Sequence, residues 1–462
     1  MKRNVYGMNF TPSIGNPKVL VIPVWFTDSG NFIDEDFKEE VRCDIEAAYF
    51  GSEEDTGWHS VKSFYEYESH GKLTYDGTVS EWYEDSSSYT EYGPEEAGQS
   101  KTQQLVKDAT SWYFKNHKDD KRTNYDTDKD GCLDGVMLIY GAPDYSTLGW
   151  SGYSMKNLWA YCSWLLDTSI CHLFAPGPNV FFWASYDFMY GDGDAKEHTG
   201  LADNAGGDTR YCNIDAHTYI HEMGHVFGLN DYYDYNGNNS PAAGFSMQDL
   251  DVGGHDAFSS FALGWGQAYI PTESMTLYVK PFVTSGEMVI LSPSWNESNS
   301  AFDEYLILEY YTTEELNELD STHSYCYART TGASKPGIRL WHVDARLGEW
   351  EYDYDIGDWT YAVTEETDPL QCKNITLAYD NSTGGEDYNL LHMIRNSKSM
   401  SYNTSSQLEN KYLFKENESF SLSEYKSQFF NKTTFNNGEA FNYSFTVDSL
   451  TSEYAKITIT KA

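Results

Sequence analysis

One stretch constrains this chain more than any other: His221-Glu222-Met223-Gly224-His225, followed by Gly228 and Asp231. Ala216, Ile220, Met223 and Phe227 form an apolar stripe opposite the two histidines, so the spacing predicts an amphipathic helix over residues 215–229. Histidines at i and i+4 share one helix face about a turn apart, close enough for both imidazoles to reach one tetrahedral metal ion. Glu222, beside the first histidine, can reach a water at that metal without ligating it. Gly228 ends the helix where a positive φ lets the chain swing back, and the swing carries Asp231 toward the metal as an oxygen ligand. Two neutral histidines, one carboxylate and an open position describe a hydrolytic zinc site. Asp234 and His255 are weaker candidates for the third ligand. His217 is too far along the helix to join His225 on one ion, about 12 Å of rise over eight residues.

The stretch after Asp231 adds to this picture. Gly244-Phe245-Ser246-Met247 resembles the tight turn that sets a methionine beneath the zinc in the metzincin clan, which makes Met247 the candidate Met-turn residue. Asp249 stands two residues after Met247, where an astacin-type switch tyrosine would stand. Asp215 and Asp234 are candidates to orient the imidazoles, and Tyr232 or Tyr233 to donate to a developing oxyanion. The spacing does not choose between the two tyrosines.

The organisation around the motif is mixed. Residues 18–26 and 135–140 read as buried strands, residues 36–50, 59–68 and 95–116 as helices, and residues 73–83 as a strand pair. Residues 141–210, rich in Gly, Tyr, Ser and Trp, read as long ordered loops. A short helix is expected over 256–263. After Trp265-Gly266 the pattern turns to short alternating runs, at residues 275–283, 304–311, 337–343 and 456–460, that predict strands. The domain boundary is therefore placed near residue 267.

A second cation signature precedes the strand at 135–140. Asp126, Asp128, Asp130 and Asp134, with Gly131 at the bend and the Cys132 carbonyl, match positions 1, 3, 5, 9, 6 and 7 of a calcium loop. Position 12 is Met137, so this is a calcium-type loop outside an EF-hand. The seven cysteines are dispersed and odd in number, which argues against a disulfide scaffold, although Cys162 and Cys171 are near enough in sequence to bridge a loop.

Charge narrows the partners. With 31 Lys+Arg against 71 Asp+Glu the net charge is −40, which repels nucleic acid and anionic membranes. No apolar run is long enough to span a bilayer. Residues 211–279 hold no Lys or Arg, yet include Asp215, Glu222, Asp231, Asp234, Asp249, Asp251, Asp256 and Glu273. Such a field favours cations and, in the cleft, basic substrate residues.

The run His221–Asp231 with Tyr232-Tyr233-Asp234 resembles the immune inhibitor A-like family of secreted bacterial metallopeptidases. So do Ser60–Tyr65 through Ser69–Leu73, Gly77–Trp82, Asp126–Gly135 and Gly337–Asp344. The resemblance spans residues 18–345 and fades to strand pattern alone in the last hundred. It implies zinc ligation by His221, His225 and Asp231, with Glu222 as general base in the hydrolysis of protein or peptide substrates. It also implies secretion, although no apolar signal-peptide core follows Met1-Lys2-Arg3. The expected fold is α+β: a metzincin-like catalytic domain over residues 1–266, with a mixed sheet and a zinc-binding helix, then a β-sandwich-like domain over 267–462. Zinc is the expected catalytic cofactor and calcium a structural one.

Three other readings compete. In a gluzincin-type peptidase the third ligand is a Glu on a later helix, whereas Gly228 and Asp231 supply the turn and the ligand locally. A Ser/His/Asp hydrolase would need a Gly-x-Ser-x-Gly elbow, which is absent. A calcium-stabilised adhesion protein with a degenerate peptidase domain is disfavoured by the intact Glu222.

Overall fold

The computed structural model describes residues 8–148, 155–190, 214–322, 331–354, 357–363, 367, 389–407 and 409–462. They fall into two compact units. One holds the described residues up to Gly228 apart from Glu68–His70; the other holds Glu68–His70 and the described residues from Leu229 on.

The first unit is built on β1 (Lys18–Trp25), whose residues from Val19 onward are all buried. A near-continuous apolar run of this kind suits a parallel strand covered on both faces. After α1 (Lys38–Phe50), the single turn α2 (Glu53–Thr56) and α3 (Val61–Glu68) come β2 (Asp76–Val79) and β3 (Tyr83–Glu84). Both strands of this predicted pair align in parallel with β1, β2 from Lys18 to Val21 and β3 at Val24 and Trp25. Helix α4 (Glu95–Asn116) leads to β4 (Val136–Tyr140), buried throughout and parallel to β1. The stretch expected to be loops contains two further strands, β5 (Tyr161–Trp164) and β6 (Val180–Ser185). Every residue of β6 is buried, so the strand lacks the period-2 alternation that marks a half-exposed one, and its short apolar run is lost among Gly, Tyr and Ser. Residues 149–154 and 191–210 of that expected loop region lie outside the described residues. The sheet order is β2-β1-β4-β6-β5, with β3 off β1, and only the edge strand β5 is antiparallel.

Leu20, Ile22 and Val24 of β1 and Leu138 and Tyr140 of β4 share a core with Leu105, Val106 and Ala109 of α4. Strand alternation turns Val19 and Val21 to the opposite face. Helix α5 (His217–Val226) packs on β5 and β6.

The second unit opens with α6 (Ala257–Ala262), whose N-cap Asp256 accepts the Ser259 N–H at 3.0 Å. The strands β7 (Gln267–Tyr269), β8 (Met275–Val279), β9 (Glu287–Leu291), β10 (Glu304–Tyr311), β11 (Gly337–Asp344), β12 (Gly348–Asp353), β13 (Asp358–Val363), β14 (Leu391–Met393), β15 (Ser419–Ser421), β16 (Tyr443–Leu450) and β17 (Ala455–Lys461) follow. They form a five-stranded sheet in the order β14-β11-β10-β9-β7, a four-stranded sheet β15-β16-β17-β8 and the hairpin β12-β13. One hydrophobic cluster takes Val289, Leu306, Leu308 and Leu340 from the larger sheet and Val279, Phe445, Ile457 and Ile459 from the smaller. The chain is thus a mixed α+β protein with several sheets, as expected.

Buried charge runs through this unit. Arg339 on β11 is paired with Glu309 directly across on β10, Nε to Oε1 at 2.8 Å, and its Nη1 donates to the Phe245 carbonyl at 3.0 Å. Glu68 is also buried, with Oε1 accepting the His255 N–H at 3.1 Å and the Ser260 hydroxyl at 3.4 Å. Burial raises its pKa from the ordinary 4.5 to about 8. An acid whose folded-state pKa is raised contributes stability that is full below about pH 4.5 and lost as pH rises through about 8. Between those values the wild type is expected to lose about 1 kcal/mol per pH unit relative to Glu68→Gln. Denaturant unfolding of both proteins from pH 5 to 9 checks this; parallel pH profiles would refute it.

Candidate metal centre

Helix α5 is held by partners that reach its backbone from several directions. The Tyr65 hydroxyl donates to the Ile220 carbonyl at 2.6 Å, and the Thr11 N–H to the Val226 carbonyl at 3.1 Å. The Tyr75 hydroxyl meets the Met223 sulfur at 3.4 Å. Tyr219 stacks on Tyr49 of α1, and Phe227 packs on Tyr65. Ile220, Met223 and Phe227 are fully buried and Ala216 nearly so, as the apolar stripe requires. Asp215, just before the N-cap Ala216, accepts the His217 N–H at 2.9 Å and so satisfies the first amide of the helix.

The helix stops where the sequence predicts. Gly228 takes φ +101°, a left-handed conformation that a residue with a Cβ rarely adopts, and its N–H bonds the His225 carbonyl at 2.9 Å. Over the next three residues the chain reverses. Ligand atoms of His221, His225 and Asp231 lie within 4.8 Å of one another. His221 and His225 are partly exposed, while Asp231 is 8% and Glu222 7% exposed. Desolvation is the main cause that raises the pKa of the buried Tyr49 and of the partly exposed Cys162, and the Glu222 carboxylate adds to it in both cases.

Two imidazole nitrogens and one carboxylate oxygen are donor types that zinc takes in hydrolytic sites. The donor set therefore suits zinc. Of the weaker candidates, Asp234 spends both carboxylate oxygens on backbone N–H groups: Asn236 at 2.9 Å, and Asn238 and Asn239 at 3.2 Å. His255 is wholly buried with its N–H on Glu68. Neither residue belongs to the three-ligand group.

The Met247 turn is tied to the ligand segment. Tyr232, next to Asp231, donates its N–H to the Gln248 carbonyl at 2.9 Å. Met247 is fully buried, Ser246 donates to Asp256 at 2.7 Å, and Gly244, at φ +77°, donates to Asp249 at 2.7 Å. The Tyr232 hydroxyl is committed to Ser259 at 2.9 Å, which takes it out of contention as an oxyanion donor. Tyr235, which no sequence signal separates from its neighbouring tyrosines, donates its hydroxyl to Asp231 Oδ2.

The acidic loop brings the carboxylates of Asp126, Asp128 and Asp130 within 4.8 Å of one another. Asp126 accepts the N–H groups of Asp130 and Gly131 at 3.0 and 3.1 Å, and Asp130 that of Cys132 at 2.8 Å. Asp134 stands apart from this trio. It accepts from Thr127 and from the Lys18 N–H at 3.0 Å, fastening the loop to the start of β1. The cysteine pairing suggested by sequence proximity is corrected. Cys171 bridges to Cys132, with Cα atoms 4.8 Å apart, while Cys162 sits on β5 as a free thiol. Strand pairing between β5 and β6 fixes Cys162, whereas the loop carrying Cys171 folds back against Gly131. Cys212, Cys326 and Cys372 lie outside the described residues.

No curated protein matches the chain. The zinc-motif helix itself lies beyond the stretch that a family model covers, whereas the blocks at 60–73, 77–82 and 126–135 lie within it. Residues 16–164 match the immune inhibitor A peptidase M6 catalytic-domain family, in agreement with the resemblance read from sequence, and the match supports a peptidase function for the chain.

Proposed function

We propose that this chain is a secreted zinc-dependent endopeptidase in which His221, His225 and Asp231 hold the metal and Glu222 is the general base. The observation that carries the reading is the convergence of those three ligand atoms within 4.8 Å, with Glu222 next to His221 on the same helix. Zinc bound there supplies Lewis acidity toward water and the scissile carbonyl. Glu222, shielded in the helix–sheet layer, accepts the proton of the attacking water and returns it to the leaving amine as the C–N bond breaks. The enclosed position of its carboxylate keeps bulk water from competing for that proton. Buried Met247 and its tethered turn support the ligand segment from the metzincin-like side of the reading.

The Cys132–Cys171 disulfide is consistent with an oxidising compartment and so with secretion. The trio Asp126, Asp128 and Asp130, with the Cys132 carbonyl, is read as a structural calcium site, and Asp134 ties that loop to β1 through Lys18 and Thr127. Residues 267–462 are read as a β-sandwich-like domain, because both sheets of that region feed one hydrophobic cluster.

Glu222→Gln is expected to retain one zinc per chain while losing about 100- to 10,000-fold in peptide hydrolysis. Metal analysis beside a fluorogenic peptide assay checks this, and full activity in the variant would sink the mechanism. Calcium is expected to raise the wild-type Tm but not that of a Asp128→Asn, Asp130→Asn double variant. An equal shift in both proteins would remove the loop from the account.

A further inference from the structure

We propose that Tyr235 is a positioning residue for the metal centre, holding the third ligand with one carboxylate oxygen turned to the ion. This rests on the zinc reading above and adds a residue to it. The Tyr235 hydroxyl donates to Asp231 Oδ2, four residues back along the chain. A carboxylate has two oxygens, and a donor seated on one of them biases it to bind a metal through the other alone. Bound through one oxygen, Asp231 would leave a zinc ion the open fourth position that a hydrolytic site requires.

The rest of the segment holds Tyr235 in that pose. Asp234 collects the N–H groups of Asn236, Asn238 and Asn239 on its carboxylate, and its carbonyl takes the Gly237 N–H at 2.8 Å. Gly237 closes this turn at φ +68°. The Tyr235 ring stands edge-on to Tyr233 at 5.0 Å. Next to Asp231 in the chain, Tyr232 is fixed through its N–H on Gln248 and its hydroxyl on Ser259. The backbone at Asp231 is thus set by Tyr232 and its carboxylate by Tyr235. Although 59% exposed, Tyr235 spends its polar atom on a carboxylate that is itself 8% exposed. An exposed tyrosine with only a solvation role would have no need of that bond.

The test is zinc affinity by chelator competition for wild type, Tyr235→Phe and His221→Ala, with the Tm of each metal-free protein as a folding control. Tyr235→Phe keeps the ring contact and removes only the donor. Its zinc Kd is expected to weaken about 10- to 100-fold with an unchanged metal-free Tm. The visible spectrum of the cobalt(II)-substituted variant should change with it, which a purely structural loss would not produce. Zinc binding that His221→Ala weakens but Tyr235→Phe leaves untouched would overturn this proposal alone. Binding indifferent to His221→Ala would overturn the zinc reading, and this one with it.

Discussion

The site depends on the chain reversal at Gly228. Two imidazoles a turn apart define a line on the surface of α5, and a third donor can meet them only if the backbone leaves the helix at once. The positive φ of Gly228 permits that exit, and within three residues Asp231 has come back to the histidines. A helix one turn longer would carry Asp231 onward along its axis, about 1.5 Å per residue, instead of back. The remaining features secure the two sides of this reversal. Tyr65, Thr11 and Tyr75 fix the helix, and the Tyr232–Gln248 hydrogen bond fixes the returning segment.

Much of this was legible in the residues because it follows from short-range geometry. The helix positions of His221 and His225, the stop at Gly228, the burial of Ile220 and Met223, and the buried strands β1 (from Val19 on) and β4 all follow from local periodicity and one glycine. What the sequence hid depends on distant partners. β6 lacks alternation because both its faces are covered, so it looked like loop. The partner of Cys171 is Cys132, 39 residues away, whereas spacing showed only that Cys162 was near enough to bridge. Asp134 fits calcium-loop position 9 by count, yet Lys18 and Thr127 claim its carboxylate. Among three neighbouring tyrosines, only coordinates separate Tyr235, which reaches Asp231, from Tyr232, which reaches Ser259.

The acidic excess also takes on a different meaning. Between residues 211 and 279 the absence of Lys and Arg suggests a diffuse negative field around the site. The structure assigns these carboxylates individual work instead. Asp234 holds three backbone N–H groups, Asp249 takes that of Gly244, Asp251 that of Gly253, and Asp256 caps α6 and anchors Ser246. All four are at most 9% exposed. Aspartates in this segment serve as builders of turns with few side-chain atoms, satisfying N–H groups that irregular backbone would otherwise leave unpaired.

Zinc K-edge X-ray absorption of the purified wild-type protein tests the central claim most directly. The arrangement of His221, His225 and Asp231 predicts one zinc with two imidazole nitrogens and light oxygen donors at about 2.0–2.2 Å, and no sulfur. A first shell containing sulfur, or one without imidazole scattering, would contradict it.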